Sequence, residues 1–96
     1  VPGCSITIEE DYAVPGLAPE KGGAAEALCR RLTRANSTAT VSYSSEAGQF
    51  QAAGLSTVLL GPGSIEQAHI ADEFIEVSQL AACEDFISRL IQAQAA

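Results

Sequence analysis

The pattern of hydrophobic and polar positions predicts three strands along this chain. Residues 5–12 alternate polar and apolar side chains, with β-branched residues at the apolar positions, which is typical of a half-buried strand. Residues 38–43 predict a second, short strand. Residues 55–60 are nearly continuously apolar, which indicates a strand in a sheet that is covered on both faces.

Helical spacing and capping residues predict three helices between and after these segments. In residues 24–33 the apolar positions recur at the 3.6-residue period of an amphipathic helix. Residues 46–53 predict a short helix, with Ser44 or Ser45 as its N-terminal cap and Gly54 ending it. The last helix is predicted from an apolar stripe of Leu80, Cys83, Ile87, Leu90 and Ile91.

The order of these segments predicts an α/β fold. Two prolines and a glycine in residues 14–19 exclude a regular element there, so this stretch is interpreted as a linker between two units. From Glu20 onward the predicted helices and strands alternate, which favours layered α/β packing. Two strands make a poor sheet, so this unit is expected to need further strands from elsewhere or from another copy of itself.

Charge and composition exclude some partners. The net charge is −7, so a nucleic-acid partner is not expected, because phosphate contacts need Lys and Arg. No apolar run approaches the roughly 18 residues of a membrane span. Cys4, Cys29 and Cys83 form no CxxC pair and are expected to be reduced, buried thiols of a cytoplasmic protein. The absence of Met at position 1 suggests a fragment or a processed chain.

His69 is the only histidine and the main candidate for chemistry. It follows a predicted buried strand and a glycine-rich turn, a common place for sites in open α/β sheets. Imidazole is a preferred zinc ligand near neutral pH. The nearby carboxylates of Glu66, Asp72 and Glu73 could orient the ring. A solvated surface histidine is the alternative interpretation.

A combination of three motifs carries a resemblance to a known family. They are Gly-Pro-Gly-Ser-Ile at residues 61–65, Gln-Ala-His at residues 67–69 and Asp-Glu-Phe at residues 72–74. Together they make residues 38–91 closely similar to the acetylornithine deacetylase family, which belongs to the zinc-dependent M20-type exopeptidases and deacylases. Ile70 and Ala71 depart from that family, in which Lys and Pro often follow the histidine.

The resemblance implies a site at which His69 binds one metal of a two-zinc centre, with cobalt as another option. Gly61, Gly63 and Ser64 would line the pocket of a small N-acylated amino acid substrate. Glu46 would be a carboxylate near the site, although capping of a helix is an equal interpretation. The remaining ligands of the family lie in upstream motifs. One histidine cannot hold two metals, so the chain alone is expected to be inactive.

The resemblance also implies an organisation and a reaction. Residues 1–13 would be the last strand of an inserted dimerisation domain, residues 14–19 the linker, and residues 20–96 the C-terminal part of a layered α/β catalytic domain. The complete protein is expected to be a cytoplasmic homodimer that deacetylates N-acetyl-L-ornithine to ornithine and acetate in arginine biosynthesis. The alternatives are a related deacylase or dipeptidase, or a free-standing, non-catalytic α/β binding module.

Overall fold

The fold consists of three helices joined by irregular segments. A computed structural model describes residues 2–95, in which α1 spans Ala24–Thr33, α2 spans Ala47–Ala52 and α3 spans Val77–Gln94. All three helices were predicted from the sequence, α1 and α3 from the spacing of their apolar positions and α2 from its expected capping residues. The predicted units begin at Val1 and end at Ala96, and these two residues lie outside the described range.

Hydrogen bonds at both ends stabilise α1. Near its start, the Ala25 N–H donates to the Ser56 hydroxyl oxygen at 3.1 Å, which satisfies one of the amides that a helix leaves open. An ion pair of 2.8 Å joins Glu26 to Arg30 one turn later. The helix ends at Arg34, whose backbone is left-handed with φ 61° and whose N–H donates to the Arg30 carbonyl oxygen at 2.8 Å.

The end of α2 follows the sequence prediction, whereas its start does not. Glu46, and neither Ser44 nor Ser45, is the N-cap, and the Ser45 hydroxyl oxygen only accepts the Ala47 N–H at 3.2 Å just before the helix. At the other end Gly54 has φ 93°. The Gly54 N–H donates to the Gln51 carbonyl at 3.0 Å, and the Leu55 N–H donates to the Phe50 carbonyl at 3.1 Å. These two bonds form a Schellman motif, which requires the glycine.

Helices α1 and α3 pack against each other. On α3 the half-buried side chains are Cys83, Phe86 and Leu90, which share one face of the helix. A polar contact reinforces this packing, since Arg89 Nη1 donates to the Leu32 carbonyl oxygen at 3.0 Å. The arginine thereby binds one of the carbonyl groups in the last turn of α1, which have no N–H partner within the helix.

The predicted α/β fold is wrong, because residues 2–95 contain no strand. The predicted strands at residues 5–12, 38–43 and 55–60 are irregular. Ile6 and Ile8 are each 91% exposed, so the alternation at residues 5–12 has no buried face in this chain. A strand exists only when a neighbouring segment pairs with its backbone groups. Within the described range, the backbone groups of residues 5–12 and 38–43 form no hydrogen bond with other backbone groups.

The role of residues 14–19 as a linker between two units stays a prediction, and the prediction for the thiols is wrong in part. Residues 14–19 are irregular, as their prolines and glycine predicted. All three cysteines are free, but Cys4 is exposed, and Cys29 and Cys83 are only half-buried. Burial raises the pKa of the Cys29 thiol.

The described residues form almost no hydrophobic core. Among them, Ala47 is the one buried hydrophobic residue, and Gly48 beside it is also buried. The radius of gyration is 18.6 Å, whereas a compact domain of this length has a value of about 12.5 Å. None of the helices within residues 2–95 has both the length and the apolar character that a membrane span requires.

Candidate functional site

The glycine loop before His69 is anchored to α3. Gly63 has φ 88°, a left-handed conformation that favours glycine. A Cβ at this position would come within 3.3 Å of Ile75 Cδ1, so space also favours glycine. The Gly63 N–H donates to Gln79 Oε1 at 3.2 Å. A substrate carboxylate could reach this N–H only by displacing the amide of Gln79.

Short-range hydrogen bonds shape the turn that carries His69. The Ser64 carbonyl accepts the Gln67 N–H at 3.0 Å, and the Ser64 hydroxyl oxygen accepts the Glu66 N–H at 3.2 Å. The Gln67 carbonyl accepts the Phe74 N–H at 3.3 Å, which closes the base of the loop between residues 67 and 74. His69 therefore projects from a loop that its own backbone holds closed.

His69 is exposed and has an unusual backbone conformation. Its φ is 57°, and Asp72 in the same loop has the same value. The imidazole meets the Tyr43 ring edge-on, with centroids 6.1 Å apart and planes at 73°. In the described part of the chain, no hydrogen bond joins His69 to the carboxylates of Glu66, Asp72 or Glu73.

An open groove brings the predicted pocket residues together. It measures about 1190 Å³, and its lining includes Gly61, Gly63, Ser64, His69 and Tyr43. This volume is slightly above the range of about 300–1,000 Å³ that is usual for small-molecule sites. The predicted glycines, serine and histidine therefore face one shared space, although the groove is wide and open to solvent.

Glu46 occupies a different position. It is the residue immediately before α2, and its carbonyl oxygen accepts the N–H groups of Gln49 at 3.0 Å and Phe50 at 3.2 Å. Glu46 is the N-cap of α2, but its carboxylate forms no capping hydrogen bond. Glu46 is not part of the groove lining that contains His69.

A hydrogen-bond network around Glu20 was missed by sequence reasoning. Glu20 Oε1 accepts the Ser56 hydroxyl at 2.9 Å and the Thr57 N–H at 3.1 Å, while Glu20 Oε2 accepts Gln51 Nε2 at 3.0 Å. These donors, Gln51 first, then Ser56 and Thr57, hold the pKa of the Glu20 carboxyl below its usual value. The network ties Glu20, the residue that follows the linker, to α2 and to the segment that leads into the glycine loop.

Nothing in the sequence marked the partners of the network or of the loop. Tyr43 and Gln79 touch the site through contacts that span 26 and 16 positions of the chain, respectively. Gln51 and Ser56 likewise reach Glu20 across more than thirty positions. Such contacts depend on the fold, and no local motif encodes them.

The described residues do not by themselves fit a metal centre. Within residues 2–95, no three His, Cys, Asp or Glu side chains are grouped so that they could hold a metal ion. A zinc site needs about three protein ligands when catalytic and about four when structural. His69 is the single imidazole, so this chain offers one donor of that kind.

The family model and the similar curated proteins are consistent with each other. The model of Peptidase family M20/M25/M40 matches residues 4–93. The chain is 50% identical over 52 residues to an acetylornithine deacetylase of Photorhabdus laumondii subsp. laumondii, covering 54% of this chain and 13% of the relative. It is 41% identical over 51 residues to an N-acetyl-L-citrulline deacetylase of Xanthomonas campestris pv. campestris, covering 53% of this chain and 14% of the relative.

A third relative is also named a deacetylase, and all three matches cover only a short part of the relative. The acetylornithine deacetylase of Myxococcus xanthus is 38% identical over 56 residues, which are 58% of this chain and 15% of the relative. The matched part of the chain thus covers 13% to 15% of the length of these curated relatives. No solved structure matches the chain.

Proposed function

We propose, since the chain belongs to Peptidase family M20/M25/M40, that it forms part of a hydrolase that removes the acetyl group from an N-acetylated amino acid. N-acetyl-L-ornithine is the proposed substrate, with ornithine and acetate as products. Support comes from relatives of 38% and 50% identity that are named acetylornithine deacetylases. The family is one of generally metal-dependent hydrolases, and the reaction proposed here is the hydrolysis of an amide.

The observation that carries the proposal is the position of His69. Its imidazole is exposed, projects from a closed loop and lines the same groove as Gly61, Gly63 and Ser64. We propose that His69 is one metal ligand and that the remaining donors come from outside residues 2–95. Zinc is the proposed metal, as two ions in the complete enzyme, and cobalt is an alternative. The bound metal would supply Lewis-acid chemistry, and this chain alone would be inactive.

The test compares two residues with the same backbone conformation. His69→Asn removes the imidazole but keeps a residue that tolerates φ 57°. Asp72→Asn is the matched control, because Asp72 lies three positions away with the same φ. In the intact hydrolase, we expect the histidine variant to lose bound metal and to lower kcat by at least about 100-fold, while the Asp72 variant keeps both.

Two outcomes would overturn the ligand assignment. One is full metal content and turnover in the His69→Asn protein. The other is equal metal loss in both variants with a lowered melting temperature, which would mean that the loop is destabilised and that the imidazole has no specific role. Metal analysis of the purified proteins, beside their melting curves, separates these cases from the expected result.

A second substrate has specific support. The relative from Xanthomonas campestris is named N-acetyl-L-citrulline deacetylase and is 41% identical over 51 residues. Ornithine carries a cationic side chain and citrulline a neutral one, so the two substrates differ in charge. Measuring kcat/KM of the intact hydrolase on both acetylated amino acids decides between them, and a higher value for N-acetyl-L-citrulline would replace our first choice.

The location, the pathway and the oligomeric state of the enzyme are also part of the proposal. We propose a cytoplasmic enzyme of arginine biosynthesis that works as a homodimer. The three free cysteines are compatible with a reducing compartment. A disulfide-linked or membrane-bound enzyme in fractionated cells would contradict the location, and a monomer in sedimentation experiments on the intact hydrolase would contradict the homodimer.

A further inference from the structure

Residues 15–20 lie along α2, and we call them the strap. Gly48, which is buried in the first turn of α2, approaches Pro15 so closely that an added Cβ would overlap the Pro15 carbonyl oxygen. Leu17 and Glu20 are half-buried, whereas every described residue before Pro15 is exposed. The strap is therefore a packed segment, although its prolines and glycine predicted a linker.

The side chain of Gln51 holds the middle of the strap by its backbone. Gln51 Oε1 accepts the Ala18 N–H at 2.9 Å, and Gln51 Nε2 donates to the Ala18 carbonyl oxygen at 2.8 Å. This pair of bonds resembles the pair that two directly opposed residues exchange in an antiparallel sheet. One side chain of α2 thus satisfies both polar groups of the Ala18 backbone.

Glu20 fastens the end of the strap to α2 and to a third segment. Gln51 Nε2 carries two hydrogens, and besides its bond to Ala18 it donates to Glu20 Oε2 at 3.0 Å. Glu20 Oε1 accepts the Ser56 hydroxyl at 2.9 Å and the Thr57 N–H at 3.1 Å. The hydrogen bonds of Gln51 and Glu20 therefore form one connected set, which joins the strap, α2 and residues 56–57.

This set of contacts is complete within the chain. Both partners of every contact lie within residues 15–57, so the position of the strap does not depend on a segment outside this sequence. Hydrogen bonds to a carboxylate are roughly twice as strong as those between neutral groups. A polar network whose members are all satisfied makes the segments that it joins rigid.

The backbone before the strap places any pivot further upstream. Val14 precedes a proline, which restricts Val14 to extended conformations, and Pro15 has a fixed φ. Gly16 has the greatest intrinsic freedom in the strap, but it lies between the contacts of Pro15 and Ala18. Ala13 is thus the first residue before the strap to which none of these restrictions applies.

We propose that the strap, α2 and residues 56–57 form one rigid body locked by Gln51 and Glu20, and that movement of the preceding residues against this body pivots at Ala13 or earlier. The sequence predicted all of residues 14–19 as a linker, whereas the lock removes residues 15–19 from its flexible part. Such movement would be transmitted to the segment that leads into the glycine loop. The inference does not depend on the proposed reaction, because it concerns only how the backbone is held.

Hydrogen exchange at two amides tests the lock in the intact hydrolase without substrate. Mass spectrometry with residue-level fragmentation follows the amide of Ala18, which is bound to Gln51, and the amide of Thr57, which is bound to Glu20. In the unaltered protein we expect each amide to exchange at least about tenfold more slowly than in an unfolded chain. The amide of Ile87, inside α3, serves as the reference for global unfolding.

The decisive readout in each variant is the amide that the altered side chain does not bind. Gln51→Ala should accelerate exchange at Ala18 by about tenfold or more, because all the hydrogen bonds of that side chain are lost. If the segments form one body, the same variant should also accelerate exchange at Thr57. Glu20→Gln should accelerate exchange at Thr57 and, in the same way, at Ala18.

The second glutamine of α2 provides the matched control. Gln49 lies two positions from Gln51 in the same helix, and its side chain is exposed. Gln49→Ala makes the same chemical change without touching the strap, so we expect exchange at Ala18 and Thr57 to stay unchanged. An equal acceleration in the Gln49 and Gln51 variants would overturn the proposal.

An exchange of the two groups gives a second reading if Gln51→Ala also accelerates exchange at Ile87. Gln51→Glu alone places two carboxylates against each other and should accelerate exchange at Thr57. Adding Glu20→Gln to it restores an amide opposite a carboxylate with the roles reversed, so protection at Thr57 should recover at least in part. No recovery in this double variant would contradict a lock formed by these two side chains.

Two further results would overturn the proposal. If Ala18 in the unaltered protein exchanges as fast as in an unfolded chain, the strap is not held, and the pivot lies within the proline and glycine stretch. If Gln51→Ala affects only Ala18 while Glu20→Gln affects only Thr57, the contacts are independent and the segments are not one body.

Discussion

Glu20 is the residue on which the long-range polar contacts of the chain converge. Its two carboxylate oxygens accept hydrogen bonds from Gln51, Ser56 and Thr57, and Ser56 in turn accepts the Ala25 N–H of α1. One half-buried carboxylate, directly after the linker, thus connects to two helices and to the segment before the glycine loop. Because its donors favour the ionised form, the pKa of Glu20 is lowered.

This lowered pKa predicts a loss of local structure in acid. A carboxyl whose pKa is lower in the folded chain stabilises the fold at pH values above the unfolded pKa of about 4.3. That contribution disappears as the pH falls through the folded pKa. We expect the Thr57 amide to lose protection against hydrogen exchange over this range, with the intrinsic exchange rate taken into account. Amide exchange followed by NMR from neutral pH to pH 3 provides the measurement.

Two variants check that Glu20 is the responsible group. Glu20→Gln should weaken the protection of Thr57 at neutral pH and remove its dependence on acidification. Glu9→Gln should change neither, because in residues 2–95 Glu9 lies on an exposed segment outside the network. Unaltered acid sensitivity in the Glu20 variant would assign the titration to a different carboxylate.

At the candidate site, the sequence identified the residues of the local motif but not those that support it. His69, Gly61, Gly63 and Ser64 were found because they lie within nine consecutive positions and form a recognisable pattern. They do line one groove. Tyr43 and Gln79 come from distant segments, and their roles follow from packing that no short pattern records. The role of His69 as a ligand stays a prediction.

At the scale of elements, helices were predictable and strands were not, for a physical reason. The hydrogen bonds of α1, α2 and α3 join residues close in sequence, so the periodicity and caps that predict a helix also form it. The alternation at residues 5–12 and the apolar run at residues 55–60 indicate only which side chains a strand would bury. They do not supply the strand that would pair with it. The hydrogen bonds of a strand need a second segment, which residues 2–95 do not supply.

Gly54 offers a test of the cap that ends α2. Its φ is 93°, a conformation that side chains other than glycine adopt only with strain. We expect Gly54→Ala to destabilise the end of α2 by about 1 kcal/mol. Faster hydrogen exchange at Leu55, whose N–H closes the Schellman motif, would report the loss. Gly61→Ala is the control, since Gly61 has an ordinary φ and no atom within 4 Å of an added Cβ.

Gly48 tests the packing of α2 against the linker. An alanine inside a helix normally stabilises it by about 0.5–1 kcal/mol relative to glycine. Here an added Cβ would overlap the carbonyl oxygen of Pro15, so we expect Gly48→Ala to destabilise the contact instead. The linker should then move away from α2, and the Ala18 N–H should lose its bond of 2.9 Å to Gln51 Oε1. Slower hydrogen exchange of the Ala18 amide in the Gly48→Ala variant than in the unaltered chain would contradict this contact.

At the scale of the whole molecule, the chain has many apolar residues but few ways to bury them. It is 47% hydrophobic, yet large apolar side chains on α2, on α3 and on the irregular segments remain exposed. The principal extents of 68, 37 and 22 Å describe an elongated body. Dimensions of this kind leave most of the apolar surface accessible, and folding of the isolated chain therefore releases less hydrophobic free energy than folding of a compact domain.

The dependence of unfolding on urea measures this deficit directly. The unfolded chain of 9.9 kDa exposes about 14,400 Å², so folding to the observed 8058 Å² buries about 6300 Å², whereas folding to a compact monomer would bury about 9200 Å². Because the urea m-value scales with the area exposed on unfolding, we expect about 70% of the m-value of a compact domain of equal length. Binding of the dye ANS before any urea is added should accompany the shallow transition, since the apolar side chains are accessible. A steep transition with the full m-value and no ANS binding, from a protein that sediments as a monomer, would mean that the isolated chain buries a core that this structure lacks.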